Sequence, residues 1–492
     1  MDSQTSDEKN QDIINNPKLS IFYAILPVIL LVAMLAYNVF VFGDEALDGS
    51  NQFILLMGAA VAVVVGFFHK VPYKTMVAEV SQNIKSTSTA LLILLMVGAL
   101  SGTWLISGVI PTMIYYGLQI LNPSIFLVAC VIICALLSVS IGSSWTTTAT
   151  VGIALIGIAQ ALDISLGMTA GAILSGAYFG DKLSPLSDTT NLAPAMAGTD
   201  LFTHIRYMTW TTIPSILVAL IVFTIIGFTQ TTEGQTNPAT ILKAIESKFY
   251  ISPILFLIPA LVIFLIVKKT PPLIALLLGT LFAAVFALIF QPDLVSLAGG
   301  GEKDINSMYK GIINSITTDV VIPTELTSLE KLFSSSGMAG MLGTIWLIIC
   351  AMVFGGVMDA IGALTKISDA LLKLFSSVFG LFASTVASCL ALNISASDQY
   401  LAIVVPGKMF AKAYEEKGLA PENLSRTLED AGTVTSVLIP WNTCGAYHSG
   451  VLGVGVGEFF FYAIFNYVSP FMTLIFAAFG IKIKMLAQQV KS

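Results

Sequence analysis

Residues 180–198, GDKLSPLSDTTNLAPAMAG, form a polar segment between two strongly apolar segments. Pro185 and Pro194 exclude one unbroken helix across it, because each proline removes a backbone donor and clashes with the preceding turn. Irregular backbone at membrane depth persists only where protein or a water-filled cavity shelters it. A polar, interrupted element of this kind predicts a binding site for a solute or an ion.

The composition around this segment is that of an integral membrane protein. Hydrophobic residues make up 56% of the 492 positions, charged residues only 11%, and the mean hydropathy is +0.87. The net charge of −6, without a clustered basic stripe, excludes a nucleic-acid-binding protein. The apolar runs long enough, or nearly so, to cross a bilayer are 21–42, 53–68, 124–141, 212–228, 254–267 and 273–290.

The chain contains two related halves. The motif GTWLISG at residues 102–108 recurs as GVMDAIG at residues 356–362, and the same offset of 254 residues relates Ser143 to Ser397. The repeat therefore extends over most of the chain.

The loop charges indicate that the two halves face opposite sides of the membrane. The first short connection, residues 43–51, contains acidic residues and no Lys or Arg, whereas its counterpart at 268–272, KKTPP, is basic. Basic loops stay on the cytoplasmic side. An inverted-topology repeat, typical of secondary transporters, follows from this difference.

We therefore predict an all-α polytopic membrane protein with two inverted-topology repeats, discontinuous helices and re-entrant hairpins, in about 10–14 membrane segments. The predicted divisions are a cytoplasmic tail at 1–18, transmembrane repeat 1 at 19–229, a linker at 230–249, transmembrane repeat 2 at 250–480 and a cytoplasmic tail at 481–492.

Each half contains two polar interruptions, at 138–152 and 180–198 in the first and at 392–407 and 427–450 in the second. Alkali cations are hard and prefer several oxygen ligands, which carboxylates, hydroxyls and freed carbonyls supply. The acidic candidates are Asp181, Asp188, Asp398, Glu429 and Asp430. We predict that the four breaks meet and bind the ion through Asp181, Ser184, Ser187, Asp188, Thr189, Asn191, Ser143, Thr147, Asn393, Ser395, Ser397, Asp398, Asp430, Thr433 and Asn442.

Asp188 and Asp398 are the residues to which we assign Na⁺. Asp398 lies between two apolar stretches, whereas Asp188 can alternatively begin a helix as its N-cap. Asp181 and Asp430 occupy similar places in the two halves and can instead be ordinary interfacial residues. Lys182 either neutralises a carboxylate when no cation is present or extends its ammonium group to the membrane surface.

Several other polar or aromatic residues have structural alternatives to a role in transport. Trp145 and Tyr447 either pack in the protein or stack on an organic substrate, and His448 either carries protons or is a hydrogen-bonded structural residue. Cys130 and Cys134 are one helical turn apart, where packing is favoured over metal binding.

The chemistry of a buried carboxylate suits exchange of a proton for a cation. Burial disfavours the charged carboxylate, and a bound cation favours it, so H⁺ and Na⁺ compete for the site. Coupled exchange of Na⁺ for H⁺ follows if the site can turn from one side of the membrane to the other only when it holds Na⁺ or a proton. A channel would instead need a continuous polar path, and paired half-membrane breaks argue against one. The sequence holds no HExxH or GxSxG motif, so we predict no enzyme activity.

The segment GDKLSPLSDTTNLAPA at 180–195, with SSWTT at 143–147, resembles the NhaC family of Na⁺/H⁺ antiporters within a wider ion-transporter superfamily. The resemblance covers essentially the whole chain. It implies secondary active exchange of Na⁺ for H⁺ by alternating access in a bacterial cytoplasmic membrane, without a cofactor and with oligomers possible. We expect both termini in the cytoplasm. Relatives of this family imply two alternatives, a Na⁺-coupled organic anion exchanger of the malate/lactate type and an amino-acid transporter.

Overall fold

The computed structural model describes residues 14, 16, 18–42, 46, 49–120, 122–229, 238–324, 333–373 and 377–486. Most of the two predicted tails, and residues 230–237 of the predicted linker, lie outside the described residues. Within these ranges the chain is almost entirely helical, as the apolar runs predict.

Ten helices make up the first half. They are α1 (Ile21–Phe42), α2 (Ser50–Phe68), α3 (Tyr73–Ile106), α4 (Val109–Ile120), α5 (Pro123–Ile141), α6 (Ser144–Thr147), α7 (Ile153–Ala161), α8 (Leu166–Leu183), α9 (Asp188–Ala197) and α10 (Leu201–Thr229). A π-helical turn, Thr148–Gly152, joins α6 to α7.

Thirteen further helices make up the rest of the described chain. They are α11 (Pro238–Lys248), α12 (Leu257–Val267), α13 (Pro272–Phe290), α14 (Pro292–Ala298), α15 (Ile305–Thr317), α16 (Leu342–Ala360), α17 (Ala363–Lys373), α18 (Val378–Ser395), α19 (Gln399–Glu416), α20 (Pro421–Leu428), α21 (Thr443–Leu452), α22 (Val456–Phe459) and α23 (Ile464–Ala478). Short 3₁₀ turns cover Pro253–Phe256, Ala339–Met341, Ser436–Leu438 and Phe460–Tyr462, and a second π-helical turn, Glu429–Thr433, follows α20. Two-residue strands β1 (Val320–Val321) and β2 (Ser334–Ser335) pair antiparallel.

The helices confirm a polytopic membrane protein. In the described residues, eight helices are long and apolar enough to cross a bilayer, and the number is ten if each of two bent helix pairs counts as one span. All six apolar runs predicted from the sequence lie in these helices or in the bent pair around α12. The described part of the predicted linker contains α11, which packs on α4 and accepts a hydrogen bond from Tyr115 at Glu246.

The two halves repeat element by element. Helices α6 to α7 with their π turn align with α19, and α8 aligns with α20 and the two turns that follow it, each at an offset of 255 residues. Ser187 and Asn442 cap α9 and α21, and these helices end at Gly198 and Gly453, which are both left-handed. Packing follows the same symmetry. Helices α2 and α3 of the first half correspond to α13 and α16 of the second, and the contact of α3 with α13 has its counterpart in the contact of α2 with α16.

The structure corrects two matches drawn from the sequence. Gly142 and Ser397 are equivalent in the repeat, and both have a left-handed backbone conformation. Ser143 therefore aligns with Asp398, and each of these two residues caps the helix that follows it. The predicted pairing of Ser143 with Ser397 is therefore wrong by one residue, since the offset changes from 254 to 255 at this break. Asp181 and Asp430 are likewise not equivalent in the repeat.

Helices α8 and α9 form a hairpin in the first half, and α8 packs closely on neighbouring helices at its glycines. A Cβ atom at Gly176 would overlap the carbonyl oxygen of Val131, and one at Gly180 would overlap that of Ala135, both on α5. On another face, Gly167 and Gly171 contact the backbone of Glu458 and Tyr462. Small residues four apart allow membrane helices to approach this closely. The position of the hairpin is therefore set by α8.

We predict that Gly176→Leu destabilises the protein by about 1–3 kcal/mol, because overpacking forces α5 and α8 apart. Thermal unfolding of the purified protein in detergent measures the change. Gly343→Leu is the matched control, since that glycine is exposed in a helix and a Cβ there meets open space. Equal melting temperatures for Gly176→Leu and the wild type would contradict the close packing.

Candidate ion-binding site

The polar segment at 180–198 is a helical hairpin whose tip is closed by its own side chains. Helix α8 ends before Ser184, and Ser187 caps α9 by accepting a hydrogen bond from the Thr190 amide at 3.4 Å. The Asn191 side chain donates to the carbonyls of Pro185 and Ser187 at 2.9 and 2.7 Å. The predicted break is confirmed, and these side chains satisfy the backbone groups that it frees.

Asp188 is the first residue of α9, and its alternative role as the N-cap is filled by Ser187. Its side chain is exposed, whereas we expected a buried site. Pro194 lies inside α9, so only Pro185 belongs to the break. Asp188 interacts electrostatically with Asp181.

Asp181 joins the two breaks of the first half. One of its carboxylate oxygens accepts hydrogen bonds from the amide and the hydroxyl of Ser144, at 3.0 and 2.7 Å. Ser143 caps the same short helix, α6, by accepting from the Thr146 amide at 3.1 Å. The Thr147 hydroxyl donates to the Ser143 carbonyl at 2.9 Å. Three predicted site residues therefore meet at the start of α6.

The two breaks of the second half are joined in a similar way. The Asn442 side chain caps α21 and donates to the carbonyl and side-chain oxygens of Asn393, at 3.1 and 3.2 Å. The Thr443 amide donates to the Ser397 carbonyl at 2.9 Å. Ser395 instead turns its hydroxyl back onto its own helix, at 2.7 Å from a carbonyl oxygen.

Asp398 caps α19 from a buried position. One carboxylate oxygen accepts from the amides of Tyr400 and Leu401, at 2.8 and 3.0 Å. The residue is 5% exposed, and both capping hydrogen bonds use the same carboxylate oxygen. The preceding Ser397 is left-handed, with φ of 60°, and its buried hydroxyl has no hydrogen-bond partner among the described residues. Strain and an unpartnered hydroxyl beside a carboxylate are common at binding sites.

Tyr400 brings three predicted carboxylates into one neighbourhood. Its side chain interacts electrostatically with Asp181, Asp188 and Asp398. Its side chain is 39% exposed. The two halves thus meet near Tyr400, which the sequence analysis did not single out.

A buried ion pair joins the halves elsewhere in the interior. Lys182 on α8 pairs with Asp430 in the π turn after α20, and neither side chain is exposed. The oxygens of Asp430 also accept from Thr211 at 2.8 Å, from Ser469 at 3.1 Å and from Thr473. Of the two alternatives for Lys182, the structure supports neutralisation of a carboxylate. Asp430 was predicted to bind the ion, but hydrogen bonds already engage both of its oxygens.

Glu429, next to Asp430, is fully buried, and neither of its oxygens has a hydrogen-bond partner among the described residues. Glu429 is among the acidic candidates named from the sequence but not among the predicted site residues. The partners of Asp430 were missed altogether, although Ser469 and Thr473, one turn apart in the apolar α23, were a usable signal.

The aromatic residues near the breaks pack against one another across the repeats. The rings of Trp145 and Tyr447 stack at 3.9 Å between centroids, and Tyr447 donates to the Trp145 carbonyl at 3.2 Å. His448 is buried and lies 3.1 Å from the Thr148 hydroxyl. The packing alternatives for these residues agree with this geometry. Among the described residues, no cluster of three His, Cys, Asp or Glu side chains is suited to hold a metal ion.

Known proteins place this architecture in a family. The family model for the Na⁺/H⁺ antiporter family matches residues 176–481. The chain is 35% identical over 464 residues to the Na⁺/H⁺ antiporter NhaC of Alkalihalophilus pseudofirmus, covering 94% of this chain and 96% of that one. It is 37% identical over 457 residues to the malate-2H⁺/Na⁺-lactate antiporter of Bacillus subtilis, covering 92% of each. It is 32% identical over 467 residues to the arginine/ornithine antiporter ArcD of Halobacterium salinarum, covering 94% of this chain and 92% of that one.

The matches to the three relatives span nearly the whole chain. All the matches agree with its membrane-spanning helices, its interrupted hairpins and the resemblance seen in the 180–195 segment. Membership of a family of antiporters implies a transporter and not an enzyme. The chain belongs to the NhaC-type Na⁺/H⁺ antiporter family.

Proposed function

We propose that this protein exchanges Na⁺ for H⁺ across the bacterial cytoplasmic membrane by alternating access, with both termini in the cytoplasm. The observation that carries the proposal is the group of carboxylates from both halves around Tyr400, at the ends of interrupted helices. Interrupted helices that meet between two repeats are typical of ion sites in secondary transporters. Family membership supports the same activity.

Asp398 and Asp188 have different roles in this proposal. Asp398 is buried and has one oxygen outside its capping hydrogen bonds, which suits it to hold Na⁺ or a proton. Asp188 is exposed, so it is suited to receive the ion from water and pass it inward. Because Na⁺ and H⁺ compensate the same negative charge, they compete for the site. Na⁺ and H⁺ are then substrates, and the exchange needs no cofactor.

Alternating access has a packing basis in the repeats. Helix α9 of the first half contacts α19 of the second half. In the same way, α21 of the second half contacts the π turn at Thr148–Gly152 of the first half. We expect the two repeats to cross the membrane in opposite directions. Rocking one hairpin against its partner would then expose the carboxylates to one side at a time.

A second candidate is exchange of an organic ion together with Na⁺ or H⁺. Relatives of similar identity include a malate-2H⁺/Na⁺-lactate antiporter and an arginine/ornithine antiporter. The stacking of Trp145 on Tyr447 leaves fewer aromatic faces for an organic substrate, which favours the simple exchange of ions.

We predict that Na⁺ alone dissipates a pH gradient in everted vesicles that contain the protein. Fluorescence of a pH-sensitive dye inside the vesicles measures the gradient, and vesicles without the protein are the control. If Na⁺ has an effect only together with malate, lactate or an amino acid, the protein belongs to the second candidate class and Na⁺/H⁺ exchange is excluded. A current that rises linearly with voltage, without saturation by Na⁺, would indicate a channel.

We predict that Asp398→Asn abolishes the Na⁺-dependent response while the protein still folds. Asparagine is as good an N-cap as aspartate, so the start of α19 is preserved and only the charge is lost. Asp304→Asn is the matched control, because Asp304 caps α15 at 2.7 Å from the Ser307 amide but is exposed. Unchanged Na⁺ affinity in folded Asp398→Asn protein would remove Asp398 from the site.

We predict that the Lys182–Asp430 pair holds the two halves together. Lys182→Met or Asp430→Asn alone should cost about 3–5 kcal/mol, since each leaves one buried charge uncompensated. The double variant should lose clearly less than the sum of the two single losses, because it leaves neither charge. Chemical unfolding of the purified protein measures all four species. Additive losses would mean that the two charges do not depend on each other.

A further inference from the structure

We propose that Glu429 and Thr433, in the π turn that follows α20, bind the transported monovalent cation at a position deeper than Asp398. The inference rests on the proposed Na⁺/H⁺ exchange and adds a residue that the predicted site did not include. It follows from unpartnered oxygen atoms and from the charges around them.

The first observation is a set of buried oxygens without hydrogen bonds. Glu429 is 0% exposed and Thr433 is 1% exposed. Both carboxylate oxygens of Glu429 and the hydroxyl of Thr433 lack hydrogen-bond partners in the described part of the chain. The two residues lie one turn apart in the same π turn.

The surroundings of these oxygens are, by contrast, well satisfied. Asn393 donates to the Gly432 carbonyl at 2.8 Å, and Asn466 donates to the Val434 carbonyl at 2.8 Å. The carbonyls that the π turn would leave free therefore have partners, and the turn is held from α18 and α23. A buried acceptor without a partner costs about 1–3 kcal/mol, and more when it is charged. A hard cation would stabilise such a buried group of oxygens by accepting them as ligands.

The second observation is the local charge balance. Lys182 and Asp181, both on α8, interact electrostatically with Glu429. His204 on α10 faces Lys182 and hydrogen bonds to Ser425, at 2.8 Å from its hydroxyl. Lys182 is already paired with Asp430, so the Glu429 carboxylate has no counter-charge of its own. A bound monovalent cation would supply that charge.

The neighbouring carboxylate cannot take this role in the same conformation. Both oxygens of Asp430 are engaged by Lys182 and by three hydroxyls. Of two consecutive acidic residues, one therefore fixes the ammonium of Lys182 and the other presents free oxygens. Hydroxyl and carboxylate oxygens are the ligands that Na⁺ prefers.

The test measures ²²Na⁺ binding to the full-length protein purified in detergent. We expect Glu429→Gln to raise the Na⁺ concentration for half-saturation at least tenfold, because the amide keeps the shape and loses the charge. Glu422→Gln is the matched control, since this buried glutamate on α20 is paired with Lys484, and we expect less than a twofold change. Wild-type affinity in Glu429→Gln would overturn the proposal.

Two variants keep the proposal testable if Glu429→Gln does not fold. Thr433→Val removes an unpartnered hydroxyl and should weaken ²²Na⁺ binding severalfold. Thr427→Val is its control, because that hydroxyl already donates to a backbone carbonyl at 2.8 Å. Equal affinities for these two variants would count against the site.

The vesicle assay separates this inference from the proposed function. If Na⁺ alone has no effect on the pH gradient with wild-type protein, Na⁺/H⁺ exchange fails, and ²²Na⁺ binding still decides whether Glu429 binds a cation. If the wild type exchanges Na⁺ for H⁺ and folded Glu429→Gln does so with the same Na⁺ dependence, only the role of Glu429 fails.

Discussion

A helix that stops inside a bilayer leaves up to four backbone donors or acceptors without partners, and lipid supplies none. Ser143, Ser187, Asp398 and Asn442 satisfy this requirement at four helix starts, each by accepting a hydrogen bond from a backbone amide of the first turn. Because the capping residues must be polar, each break brings polar side chains into the interior. The position of the polar interior therefore follows from where the helices are interrupted.

The charges in this interior are arranged under a second constraint, which is that an uncompensated buried charge is costly. Lys182 comes from the first half, whereas Asp430 and its hydroxyl donors Ser469 and Thr473 come from the second. Thr211, which also donates to Asp430, returns to the first half on α10. The ion pair thus depends on both repeats being correctly placed, and it leaves Glu429 as the carboxylate without hydrogen bonds.

The interruptions were predictable because a cluster of polar residues in an apolar chain has few structural alternatives. Side-chain partners were not, since Lys182 and Asp430 are 248 residues apart and meet only through tertiary packing. The exposure of Asp188 depends on the rotation of α9 about its axis, which the capping by Ser187 sets. The π turn at Glu429–Thr433 also has no clear sequence signal, and so the free oxygens that it positions were overlooked.

The repeat is symmetric in its helix caps but not in its chemistry, and this difference explains the error in pairing Asp181 with Asp430. At the offset of 255 residues, Asp181 aligns with Ser436, and Asp430 aligns with Ser175 in the continuous helix α8. In the second half the equivalent helix widens into a π turn and then a 3₁₀ turn, which places two acidic residues against the lysine of the first half. Single π-helical turns within helices are frequent at functional sites. A symmetric pair of hairpins can therefore carry an asymmetric charge cluster, in which one half contributes the fixed ammonium and the other contributes the carboxylate that remains to be balanced.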